Sequence, residues 1–80
     1  MNRISQLQQQ IRLCVIEQAE IIQEITEIII MYCDLTQVQI RDYEEDMQIY
    51  LNLIQRHAAV RAAYNICKQE LEEIIRDQSA

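Results

Sequence analysis

From Ile4 onward, apolar residues fall at three- and four-residue steps: Ile4, Leu7, Ile11, Cys14, Ile21, Ile25, Ile28 and Tyr32. That is the spacing of one face of an α-helix, interrupted only at Gln18. A second set, Val15, Ala19, Ile22, Ile29 and Cys33, lies beside the first. At about 100° per residue the two sets together cover close to half of the helix circumference. One neighbouring helix cannot cover so wide a sector. On the opposite side Glu17, Glu20, Glu24 and Glu27 follow the same helical spacing and are expected to form the solvated stripe.

The run IIIMYC at residues 28 to 33 is rich in β-branched residues, which favour strands. The helical period nevertheless continues through it, and a single strand would leave its backbone groups without partners. A boundary follows in the stretch DLTQVQI. Thr36 and Gln39 have the spacing of a capping box, Leu35 and Ile40 that of a hydrophobic staple, and Asp34 tolerates the left-handed conformation a turn needs. The pattern therefore predicts one helix over residues 3–33 and another over 37–77.

The second helix is less regular. Ile40, Tyr43, Met47, Tyr50, Leu51, Ile54 and Ala58 make one apolar face, while Val60, Tyr64, Cys67, Leu71, Ile74 and Ile75 make another, rotated from it. The change of side falls near His57. A break near residues 56–59, giving a third helix, would explain it, as would one long helix whose halves meet different neighbours. No Gly, Pro or Ser marks a break there, and AAVRAA has high helix propensity, which favours the long helix. The expected fold class is all-α: an antiparallel hairpin of two long helices that joins a helical bundle by oligomerisation or partner binding.

Composition supports that class. The 80 residues include no Gly, Pro, Trp or Phe, so the usual residues of tight turns and hairpins are missing. The length fits one domain over residues 1–80, of a size that buries only about 60% of its unfolded surface. Apolar content of 50% argues for folding despite the many glutamines and a net charge of -6. The longest apolar run, Ile28 to Cys33, is far shorter than the roughly 18 residues of a membrane span, and the N-terminus has no signal-peptide pattern. A cytoplasmic location is expected, with no membrane association. Cys14, Cys33 and Cys67 are widely spaced and odd in number, which points to buried, reduced thiols rather than disulfides or a zinc site.

Candidate chemistry is sparse. The single histidine, His57, has Ile54 three residues before it, so the ExxH pairing of a di-iron bundle is excluded. No glycine-rich loop is available to cradle phosphate. No cysteine lies in basic surroundings that would activate it. A bundle that binds a dianionic substrate would need inward Arg or Lys, and the inward positions of the first helix carry none. The enzyme reading with most support is a Mg²⁺-dependent hydrolase of a phosphorylated small molecule or nucleotide. Its ligands would come from Glu17, Glu20, Glu24 and Glu27 with Asp42, Glu45 and Asp46. Those glutamates lie opposite the apolar sector, however, which is the pattern of an ordinary solvated face. No catalytic, cofactor-binding or metal-ligating set is therefore expected.

Charge separates along the chain. Asp34, Asp42, Glu44, Glu45 and Asp46 face only Arg41 in residues 34–46, whereas residues 47–68 hold Arg56, Arg61 and Lys68 without an acid. In an antiparallel hairpin the acidic block joins Glu24 and Glu27 at one end, giving an acidic tip of Glu24, Glu27, Asp42, Glu44, Glu45 and Asp46. Such a tip attracts basic partners and repels nucleic acid; it is also what any soluble helix end presents. The expected function is a non-enzymatic protein–protein interaction module, a small acidic adaptor, co-chaperone or inhibitor that buries an apolar helix face against a partner or a second copy. In size and shape the hairpin looks like the two-helix co-chaperones of bacterial secretion needles, a likeness of form that rests on no residue motif. The expected contact residues are Ile22, Ile25, Ile29, Tyr32, Met47, Tyr50, Ile54, Val60, Tyr64, Leu71 and Ile74.

Overall fold

The computed structural model describes residues 2–33 and 43–79. Among these described residues there are two helices, α1 (Arg3–Cys33) and α2 (Tyr43–Ser79), which pack against each other as an antiparallel hairpin. The extents are 61 × 20 × 15 Å, the proportions of two rods lying side by side. The all-α hairpin is thus the fold. Helix α1 has the bounds expected from its periodicity, and α2 continues past the expected end at residue 77. The turn signals at Asp34, Leu35, Thr36, Gln39 and Ile40, and the expected start at residue 37, lie outside the described residues.

Local chemistry explains the helix ends that are described. Asn2 caps α1: its Oδ1 accepts a hydrogen bond of 2.8 Å from the Ser5 amide, satisfying one of the donors a helix start leaves open. Helix α2 has Glu44, Glu45 and Asp46 in its first turn and Arg76 in its last, both favourable to the helix dipole. The acidic block near the turn therefore has a structural use before any functional one.

The side chains that lose exposure are Ile4, Leu7, Ile11, Cys14, Gln18, Ile21, Ile25, Ile28 and Tyr32 on α1. On α2 they are Asp46, Tyr50, Leu53, His57, Val60, Tyr64, Cys67, Leu71 and Ile74, with Glu17, Met31, Met47 and Glu70 at the margins. Both rows alternate steps of three and four, the seven-residue repeat of a coiled-coil seam. The first helix row is the one its sequence periodicity predicts.

Helix α2 departs from expectation in its first half. It runs unbroken through residues 56–59, so the alternative of a third helix does not hold. Nor does the seam change side. Leu51 and Ile54, expected inward, are 48% and 42% exposed, while Leu53 is 5% exposed and Asp46 is also buried. The reason is rigidity. A helix without a breaker cannot rotate its inward face partway along, so the register held by Val60, Tyr64, Cys67, Leu71 and Ile74 carries back through His57 to Asp46. Two polar residues are thereby placed at inward positions, and Leu51 and Ile54 are turned out.

The core of the single chain is thin. Among the described residues only Leu7, Ile21 and Leu53 are buried apolar side chains. Each contributes about 1.5–3 kcal/mol, and the net stability of ordinary domains is only about 5–15 kcal/mol. The thiols differ from expectation in part: Cys14 and Cys67 are half-buried in the seam, but Cys33 is exposed because it falls on the second apolar row.

Candidate functional site

Two helices packed along one seam present two broad faces, one on each side of the plane through both axes. Their chemistry differs sharply.

One face is charged and internally paired. Arg3 donates from Nε and Nη2 to the two carboxylate oxygens of Glu70 at 2.9 and 2.8 Å, a two-pronged ion pair near the open end. That hydrogen bonding and the opposite charge lower the Glu70 pKa and raise that of Arg3. Further along, Arg56 Nη2 meets Glu17 Oε1 at 3.4 Å. Glu17, expected in the solvated stripe, is thus a half-buried margin residue with a cross-helix partner, whereas Glu20, Glu24 and Glu27 are exposed as expected. Near the turn Glu24, Glu27, Met31, Asp46 and Ile49 line one hollow.

Asp46 is not a free member of an acidic tip. It is 5% exposed, and Tyr32 Oη donates to its Oδ2 at 2.7 Å. The Tyr32 ring also meets Tyr43 edge to face, with centroids 5.7 Å apart. Glu24, Glu27, Glu44 and Glu45 are exposed at the turn end. Asp42 lies outside the described residues. Among the described residues no three His, Cys, Asp or Glu side chains converge as a metal-binding group.

The other broad face is apolar and open. On α1 it carries Val15, Ala19, Ile22, Thr26, Ile29 and Cys33, and on α2 Met47, Leu51, Ile54 and Ala58; all are exposed except the half-buried Met47. Val15 and Ile22 are each 51% exposed. Two hollows run along this face. One is lined by Ile29, Tyr32, Cys33, Tyr43, Met47 and Tyr50 at the turn end. The second, at mid-length, is lined by Val15, Gln18, Ala19, Ile22, Arg61, Tyr64, Asn65 and Lys68. Toward the open end the face carries Arg12 on α1 and Arg61 and Lys68 on α2, with Glu72 beyond them on the outer line of α2.

The expected contact residues divide between seam and open face. Ile25, Tyr32, Tyr50, Val60, Tyr64, Leu71 and Ile74 are taken up by the hairpin's own seam. Ile22, Ile29, Met47 and Ile54 belong to the open face. The expectation passed over Val15, Ala19, Leu51, Arg61 and Lys68. The signal for them was present: on α2 the row Met47, Leu51, Ile54, Ala58, Arg61, Asn65 and Lys68 keeps steps of four and three parallel to the seam.

The seam has polar positions of its own. Gln18 and His57 both occupy it, and the register set by Glu17 with Arg56 brings them to neighbouring levels. Cys67 Sγ donates to Gln10 Oε1 at 3.3 Å. Burial, then the nearby Cys67 and Glu17, push the Cys14 thiol pKa up, so its neutral form is favoured.

No family model, curated protein or solved structure matches the chain. Among the described residues no helix is long and apolar enough to cross a membrane.

Proposed function

We propose that the chain is a non-enzymatic interaction module: a small acidic adaptor, co-chaperone or inhibitor whose apolar broad face is covered by another protein surface. One observation carries this reading. A hairpin with three buried apolar side chains among its described residues leaves Val15, Ala19, Ile22 and Ile29 exposed beside Leu51, Ile54 and Ala58 on one broad face, whereas the exposed Leu13, Ile49 and Ile66 of the other face stand among charged and polar residues. Contiguous exposed apolar surface of that kind marks interaction sites, whereas singly exposed residues such as Ile66 are ordinary. Helix-on-helix packing is the recognition mode such a face suits.

The test is site-specific photo-cross-linking in the cell that makes the protein. A photoreactive residue at Ile22 or Ile54 should give a discrete protein adduct, while one at Gln23, on the outer line of α1, should give none. Equal labelling at all three positions, or none at any, would sink the reading. The rival hydrolase is separated by melting the protein with and without Mg²⁺. An interaction module should show no shift, and a clear rise in Tm would favour the hydrolase.

A further inference from the structure

Resting on the interaction reading above, we infer that the occupant of the apolar broad face is a second copy of this chain, packed antiparallel about a two-fold axis to make a four-helix bundle. The argument comes from what lies at the two ends of the face. The aliphatic stretch is centred near Ile22 and Ile54. At its turn end the outer row of α2 begins with Glu44, and toward the open end stand Arg12, Arg61 and Lys68, three bases against the single acid Glu72. The face is therefore acidic at one end, apolar in the middle and basic at the other.

A two-fold axis through the middle places each end of one copy over the opposite end of the other. Arg61 of one copy then comes within about one helical turn of Glu44 in its partner, and Glu44 likewise of Arg61. A copy in the same direction would set base over base and acid over acid. Isologous interfaces are self-complementary in this way, with each patch meeting itself inverted. The arrangement also answers the problem of bringing two chains of net charge -6 together. The paired Arg3, Glu70, Glu17 and Arg56 lie on the opposite face, as do Glu20, Glu24 and Glu27.

The size fits. Val15 to Cys33 spans about 27 Å of helix, and the hairpin is 20 Å wide. A rectangle of that size, about 540 Å² on each copy, buries about 1,100 Å² in total, just above the roughly 1,000 Å² that a specific interface needs. Two hairpins joined there would convert the second apolar row of α1 into core, giving each helix two neighbours. Bundles of four helices packed along seven-residue seams meet that requirement.

Sedimentation equilibrium of the purified full chain, with helicity followed by circular dichroism, decides it. The expected mass is about twice the 9.6 kDa of one chain. Arg61→Glu should weaken association about tenfold, and adding Glu44→Arg should restore it to within about threefold, since the pair is regained inverted. Both positions are exposed, and circular dichroism reports any helix lost by placing Arg in the first turn of α2. Ile22→Glu with Ile54→Glu should give a single-chain species. A dimer indifferent to both sets of changes, or a larger assembly, overturns the inference. A poorly helical single chain would overturn the second copy and leave the interaction reading standing with a different partner. A stable, cooperatively melting monomer whose Tm is unmoved by Ile22→Glu and Ile54→Glu would overturn both.

Discussion

The two broad faces are made by the same two helices, the same seven-residue repeat and the same stretch of chain, yet they solve opposite problems. The face with Arg3, Glu17, Arg56 and Glu70 satisfies its charges across the hairpin, and water covers the rest. Among the described residues the face with Val15, Ile22, Ile29 and Ile54 has no such closure. The difference arises one residue to either side of the seam. On α1 the positions just after the inward residues Cys14, Ile21 and Ile28 are Val15, Ile22 and Ile29, whereas the positions just before Gln18 and Ile25 are Glu17 and Glu24. Helix α1 thus carries two apolar rows, and the hairpin covers one of them.

That contrast can be broken at the seam they share. Ile21→Ala or Leu53→Ala should cost about 2–5 kcal/mol in urea unfolding, because a buried aliphatic is lost and a cavity is left. Ile66→Ala, 67% exposed, should change stability by no more than about 0.5 kcal/mol. Equal losses at seam and surface would mean that the packing described is wrong.

Next in size is the polar clasp at the turn end. Tyr32→Phe removes a donor from the buried Asp46 carboxylate and should cost about 1.5–3 kcal/mol, as loss of a hydrogen bond to a charged group does. The loss should shrink when the same comparison is made in an Asp46→Asn background. If Tyr32→Phe is neutral at neutral pH, Asp46 is held without it.

His57→Leu should act in the opposite direction. At an inward position an apolar side chain replaces a polar one, and a gain of about 1 kcal/mol in unfolding free energy is expected. A loss would show that His57 makes a contact the hairpin depends on.

The smallest effect belongs to the charged face. Glu70 has a lowered pKa in the fold, so the stability it adds is present above its unfolded pKa and is lost as pH falls through the lower folded value. Glu70→Gln should therefore reduce Tm slightly at neutral pH and flatten the acid limb of the stability profile. Added salt should erase the difference, because both partners are exposed. The reverse sign applies to Cys14: its raised pKa means that stability is lost as pH climbs from the unfolded toward the folded thiol value.

Much of the fold is legible in the chain because α1 keeps one strict apolar row and a second beside it from Ile4 to Cys33. Periodicity alone identifies both the inward side chains and the uncovered row. In the first half of α2 the inward side is not legible from apolarity residue by residue. Met47, Leu51 and Ile54 outweigh Asp46 and His57 on any hydropathy scale, yet the latter two are the inward ones. Asp46 is tolerated there through the Tyr32 hydroxyl, a partner that lies on the other helix and cannot be foreseen from either row alone. The expected contact residues fall on both sides of that distinction, Tyr50 and Val60 on the seam and Ile22 and Ile54 on the open face.

By itself the amino-acid sequence determined that the protein is helical, that α1 runs from Arg3 to Cys33, and that its apolar sector is too wide for a single neighbour. These follow from local spacing and composition, which act within a few turns of helix. Only the tertiary structure decided which side of α2 faces inward, that Asp46 and His57 lie on the seam, and that one broad face is closed by ion pairs while the other is left apolar. Those outcomes depend on the register between two rigid helices, and register is set by the sum of all contacts along about 45 Å of seam rather than by any one turn.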